Sequence, residues 1–154
     1  MKNKVVIVGR AGCVWSDKAV AEYTKRLRRY GGVEETFVKA EPFRGDVDRV
    51  RSREAARLLK HVGPRDRLVV LDERGLALDT HEFTELVDSC RQGGIPNLVF
   101  AVGGPYGHDP VMRQKAWKVV RLSSMVLNHD VARVVLYEQL YRAMANLHNV
   151  PYHH

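Results

Sequence analysis

The chain is poor in cysteine. Cys13 and Cys90 are its only two among 154 residues, and no CxxC spacing occurs. That excludes a disulfide-stapled scaffold, which needs an even set of closely spaced cysteines; two buried or semi-buried thiols in a reducing compartment are expected instead. No apolar run approaches the roughly 20 residues that cross a bilayer, so no membrane partner is expected. Met1-Lys2-Asn3-Lys4-Val5 leads directly into a strand-like run, without the apolar stretch and cleavage site of a secretory signal, and a cytoplasmic location is the expectation. No HExxH motif is present, and the adjacent His153-His154 lie far in sequence from both cysteines, so no bound metal is expected. GxSxG, GxGxxG and GxxxxGK[ST] are also missing, which disfavours a hydrolase elbow and dinucleotide or triphosphate cradles. No repeat, low-complexity tract or Pro/Ser-rich linker divides the chain, and one domain over 1–154 is expected.

What the sequence has is positive charge, unevenly spread. The formal net charge is +7. Residues 1–63 carry 15 Lys/Arg against 8 Asp/Glu, residues 64–109 carry 4 against 8, and residues 110–154 carry 6 against 2. A basic front and back around an acidic middle suits a surface that faces a polyanion, although a merely solvated basic face fits the same numbers.

Strand-like and helix-like stretches alternate, which predicts an α/β fold with a mostly parallel sheet and helices on both faces. Strands are expected at 4–9, 33–39, 67–71, 97–102 and 117–122. Helices are expected from Ser16, as N-cap, to about Tyr30, then at 46–62, from Asp79 or Thr80, at 110–116, and from Asn128 to about Leu147. Asp72-Glu73-Arg74-Gly75 reads as a polar turn. Asn97 to Val102 is a near-continuous apolar run, as a central parallel strand requires.

Four segments carry candidate chemistry. The run into Gly103-Gly104-Pro105-Tyr106-Gly107 places glycines at the carboxyl end of a central strand, where open α/β sheets bind ligands; a tight structural turn explains it equally well. Leu122-Ser123-Ser124-Met125-Val126-Leu127-Asn128-His129 joins a strand to a long helix and reads as a pocket wall or as a simple capped loop. On that helix Arg133 and Arg142 are nine residues apart, about 900° of turn, and point to nearly opposite sides. Each suits a phosphate or an internal acid. Finally, Lys25, Arg26, Arg28 and Arg29, together with Arg49, Arg51, Arg53, Arg57 and Lys60, of which the last three share a ridge of the second helix, give two neighbouring basic helices fit for RNA phosphates, with Glu22 and Glu54 neutralising part of the charge. Arg133 is grouped with them.

Together, Val70-Leu71-Asp72-Glu73-Arg74-Gly75, Val102-Gly103-Gly104-Pro105 with Gly107, Leu122 through His129, and Glu138-Gln139-Leu140-Tyr141-Arg142-Ala143 with Pro151-Tyr152-His153 resemble the SPOUT-class large-subunit rRNA pseudouridine N3-methyltransferases along essentially the whole chain. The resemblance implies a trefoil knot in the C-terminal part, roughly 68–154, and a homodimer with sites at the subunit interface. It implies S-adenosylmethionine as methyl donor, held by Leu71, Gly103, Gly104, Leu122, Ser123, Ser124, Met125, Val126 and Leu127. The implied substrate-side residues are His129, Arg142, Tyr152 and His153, and the implied target is a pseudouridine of 23S rRNA in the large subunit or whole ribosome. The chain differs from the family pattern at Asn128, at Tyr106 and after His154. Two rivals are a ribosome-binding assembly protein without catalysis, and a SPOUT enzyme acting on tRNA or a ribose 2′-OH.

Overall fold

The structure, a computed structural model, describes residues 1–10 and 12–152. Five strands, β1 (Lys2–Val8), β2 (Val33–Val38), β3 (Arg67–Ala77), β4 (Asn97–Val102) and β5 (Lys118–Arg121), form one sheet in the order β2-β1-β4-β3-β5. Every pairing is parallel. The helices are α1 (Val14–Leu27), α2 (Val47–Leu59), α3 (Thr80–Gln92), α4 (Pro110–Lys115) and α5 (His129–Leu147), with a 3₁₀ turn at Arg28–Tyr30 after α1.

Strand order decides which face each helix takes. Parallel crossovers are right-handed. The chain moves one way from β1 to β2 and from β3 to β4, and the opposite way from β2 to β3 and from β4 to β5. Accordingly α1 and α3 pack with α5 on one face, and α2 packs with α4 on the other. Each face has its own core. Ile7, Phe100, Leu136, Tyr137 and Leu140 lie on the first side; Val6, Val99, Leu58 and Met112 lie on the second. The alternate residues of β1 and β4 serve both, which is why 5–8 and 98–102 are unbroken apolar runs. Leu136 and Leu140 are fully buried, and each contributes on the order of 1.5–3 kcal/mol through the water it sheds.

Three expectations are corrected. Ser16 does not cap α1: Cys13 holds that position, while Ser16 is wholly buried and donates to Asp130 Oδ1 at 2.9 Å. Cys13 is exposed rather than semi-buried; Cys90 is buried. Asp72–Gly75 is not a turn between elements. β3 continues to Ala77 and pairs with β5 a second time after a register shift, so that Val120 faces both Leu71 and Leu76. Gly75 lies so close to β5 that a Cβ there would stand 2.6 Å from backbone atoms of Val120. No other residue type fits that crossing without moving the strand.

Candidate donor cleft and basic surface

β4, β3 and β5 are neighbours, and their register sets their carboxyl ends side by side: Leu71 pairs with Val102 on one flank and Val120 on the other. The segments that follow, 103–107 and 122–128, therefore converge with Leu71 at one edge of the sheet. This is the topological position where open parallel sheets take ligands.

His108 ties two of these strand ends together. Its ring is buried, with Nε2 3.1 Å from the Leu71 carbonyl. The ring also presses on Gly103, where a Cβ would meet it at 3.0–3.2 Å. Gly104 is crowded from beneath by Val8 and by the carboxylate of Glu54, 3.1 and 3.0 Å from a built Cβ. Both glycines are thus demanded by side chains packed under the loop. Glu54 is buried; Oε2 accepts from the Glu41 N–H at 3.1 Å, and Oε1 has no partner among the described residues. Burial raises its pKa. From the same helix, Arg51 Nε donates to the Tyr106 carbonyl at 2.7 Å. In the sequence Arg51 counts only as one of the basic residues expected to meet phosphate and Glu54 only as an acid among them; the bracing roles of these two and of His108 carry no mark there, because no periodicity identifies a side chain that braces a loop from another element.

Burial also lowers the pKa of His108, with nearby Asp72 and the Leu71 carbonyl opposing it. An unfolded histidine titrates near 6.5. The unfolded chain therefore takes up the proton first as pH falls below that value, and stability is lost from there downward. The melting temperature is expected to drop between about pH 7 and 5, and less steeply in His108→Gln. Parallel slopes for the two proteins in calorimetric scans would remove His108 as the source.

At the start of α5, His129 is half-buried and faces the Gly103 carbonyl; burial holds its pKa down, with Asp130 opposing. It is neutral near pH 7, in a state that can accept a proton. The Asn128 side chain caps the helix, accepting from the Asp130 N–H at 2.9 Å. In the loop before it, Ser123 Oγ accepts from the Met125 N–H. Leu122 and Leu127 are half-buried, whereas Met125 and Val126 are 74% and 84% exposed.

Arg142 belongs to a different place. Its Nε and Nη2 donate to Glu138 Oε1 at 3.0 and 2.6 Å, and Nη1 donates to the Tyr152 carbonyl at 3.3 Å. The guanidinium lies 4.7 Å from the centre of the Tyr152 ring. Burial and the bond with the Tyr23 hydroxyl push the Tyr152 pKa up to about 12, so its hydroxyl keeps its proton. The thirteen residues from His129 to Arg142 correspond to about 20 Å along a helix. The sequence reading set His129 and Arg142 around one base; within one chain the structure sets them at opposite ends of α5. His153 lies outside the described residues.

The basic residues divide as well. Lys25, Arg28 and Arg29 are exposed, and Arg26 pairs with Glu22 and stacks over Tyr23 and Tyr141. These sit on the α1 face. Arg53 and Arg57 sit on the α2 face, where Arg57 binds Glu41 and the Lys39 carbonyl. The two basic helices, neighbours in sequence, are on opposite sides of the sheet and form no common groove in one chain. Arg133 is not at the surface. It is 4% exposed, with Nε and Nη2 on Glu35 at 2.8 and 2.6 Å and Nη1 on Asp17 at 2.6 Å. Its charge is consumed inside the protein and is not free for a phosphate. A surface groove of about 610 Å³ lined by Lys4, Lys60, Gly63 and Asn97 opens at the amino ends of the strands, away from the converging loops.

A family described as "Predicted SPOUT methyltransferase" matches residues 1–153. Among curated proteins, the chain is 40% identical over 154 residues to the ribosomal RNA large subunit methyltransferase H of Trichlorobacter lovleyi, covering all of both chains. It is 41% identical to the protein of that name in Geobacter sulfurreducens, again covering all of both chains. For that of Geobacter metallireducens the identity is 40%, over 100% of this chain and 99% of the relative.

Proposed function

This chain belongs to the SPOUT methyltransferase family, and from that premise we propose that it transfers a methyl group from S-adenosylmethionine to N3 of a pseudouridine in 23S rRNA, as a cytoplasmic homodimer acting on the assembled ribosome. The observation that carries the reading is the convergence of Leu71, the 103–107 loop and the 122–128 loop at one sheet edge, in a chain alike over its full length to large-subunit rRNA methyltransferases. Among the described residues no helix is long and apolar enough to cross a membrane. In this reading 1–154 is one domain, with its donor-binding part at roughly 68–154. In this reading that part is threaded as a trefoil knot.

The cleft fits the donor. In this reading the backbone at Leu71, Gly103 and Gly104 borders the adenine, Leu122 and Leu127 give apolar walls, and Ser123 and Ser124 add hydroxyls, with Met125 and Val126 available to close over it. When bound, S-adenosylmethionine supplies an electrophilic methyl group on a sulfonium sulfur. The chain's own task is positioning, which makes a two-body displacement effectively one-body, together with loss of the N3 proton from the base. A cation beside the developing imide anion favours that loss, and Arg142 fills this role, with Tyr152 and His153 orienting the base. Neutral His129, next to Gly103, is placed to take the proton or to fix the donor loop.

Two chains are part of the proposal. His129 and Arg142 are about 20 Å apart along α5, so they meet at one base only if each comes from a different subunit. Leu76, Met125, Val126, Val14 and Trp15 are exposed apolar side chains on segments at the carboxyl edge of the sheet, and a second copy would cover them.

Calorimetry with S-adenosylmethionine and S-adenosylhomocysteine, paired with labelled-methyl transfer to ribosomes lacking the modification, tests the reading. Saturable donor binding and one methyl on the large-subunit RNA are expected. Binding to ribosomes without donor affinity would instead favour an assembly protein.

A further inference from the structure

We propose that Phe43 and Tyr106 form a stacking platform for an unpaired nucleobase of the substrate RNA, beside the base that is methylated. The inference rests on the methyltransferase reading for its substrate and adds a subsite to it. Phe43 lies in the segment between β2 and α2, Tyr106 in the loop after β4, and their rings stack with centroids 5.3 Å apart and planes 21° from parallel. Large apolar rings are normally hidden, yet these are 51% and 39% exposed. Each ring turns one face to the other, and the exposure that remains offers apolar ring surface to a further flat partner.

Their surroundings favour a nucleic acid over a protein partner. Arg44 and Arg49 follow Phe43 by one and six residues, are exposed, and have no carboxylate partner among the described residues; Arg51 is half-buried with its Nε on the Tyr106 carbonyl. Of the nearby acids, Asp46 caps α2 and Glu41 is bound by Arg57, while Asp48 stands exposed on the first turn of α2. A second copy of this patch would bring like charges together, whereas phosphates would neutralise them. Position agrees. Tyr106 is three residues beyond Gly103, in the loop that reaches the donor cleft; farther along α2, Arg53 and Arg57 are drawn to Glu41. Stacking on an aromatic face accepts any base, and loops in RNA expose bases for such contacts. A platform next to the cleft would hold a neighbour of the target nucleotide and keep the loop splayed.

The probe is a short single-stranded oligo-uridine carrying one 2-aminopurine, whose fluorescence is quenched on stacking. The wild-type dimer is expected to quench it. In Phe43→Ala/Tyr106→Ala the quenching should vanish and affinity fall roughly 5- to 150-fold, while Phe43→Tyr and Tyr106→Phe keep both. The Arg51 contact is to backbone and survives these changes, so the salt dependence of binding should be unaltered. S-adenosylhomocysteine binding, measured in parallel, monitors folding and the donor cleft. Equal oligonucleotide affinity in the double variant, or no quenching by the wild type, overturns the platform and leaves the methyltransferase reading intact. A double variant that changes sedimentation but not RNA affinity overturns it as well, in favour of a contact between chains. Loss of donor binding in the wild type, with quenching retained, sinks the methyltransferase reading and leaves the platform.

Discussion

Arg133→Ala is expected to lose about 3–5 kcal/mol of stability, the usual cost of stripping one partner from a buried ion pair. At 2–4 °C per kcal/mol for a chain of this size, the melting temperature should fall by about 6–20 °C. Burial by itself would lower the pKa of Arg133, but the hydrogen bonds with Glu35 and Asp17 outweigh it and hold the guanidinium charged. Glu35 also accepts from the Tyr137 hydroxyl at 2.9 Å. Removing the cation would leave a half-buried carboxylate facing a phenol whose own pKa burial and Glu35 have raised. The network joins β2, α1 and α5, so its loss should loosen the whole α1/α5 face. Arg133→Lys should fall between, since a point charge cannot serve both carboxylates with the same fork. The companion measurement is the salt dependence of RNA binding by the charge-removing variant Arg133→Gln, made at a temperature where that variant is folded. It should match wild type, because this charge meets no phosphate. A slope reduced by about one counterion, with a melting point within 1 °C of wild type, would return Arg133 to the RNA surface.

The local signals in the sequence were strong, and the topological ones were silent. Asn97–Val102 stands where its apolar run places it, because a strand buried on both faces must be apolar at every position; Val33–Val38 stands at the sheet edge, where Glu34, Glu35 and Thr36 are tolerated. Asp72–Gly75 misled, since its polar residues lie on an extension of β3 past the buried sheet, where alternation no longer reports a core. The separation of α1 from α2 followed from strand order, which no helix-length pattern contains. Arg133 was misplaced for a related reason: helical spacing gives the side on which an arginine lies, but its partner Glu35 is 98 residues away. In the candidate site, the glycine loop and the 122–128 loop were visible as breaks in pattern, and the family resemblance extended them to Leu71. His108 and Glu54, which brace that loop, look like any other polar residues in sequence.

Arg142→Ala is expected to lower methyl transfer by roughly 10²–10³-fold, the magnitude typical of removing one preorganised charge from a developing anion. Donor affinity should be unchanged, because the contact proposed for Arg142 is with the base of the RNA, which is absent when the donor binds alone. Folding should survive: the side chain is 22% exposed and its partner Glu138 is 20% exposed, so the freed carboxylate can be reached by water. In the ground state Glu138, the Tyr152 ring and the Tyr152 carbonyl hold the guanidinium in place, and a preorganised cation costs no rearrangement when the imide charge appears. pH separates this role from a structural one. With Arg142 present the imide proton is lost near neutrality; without it the residual rate should keep rising with pH after the wild-type rate has levelled, as solvent takes over the ionisation. Single-turnover transfer to ribosomes across pH 6.5–9.5, with Arg142→Lys as the variant that retains charge but not the fork, reads this directly. Near-normal turnover by a folded Arg142→Ala dimer, or a profile merely scaled down at every pH, would place the cation elsewhere.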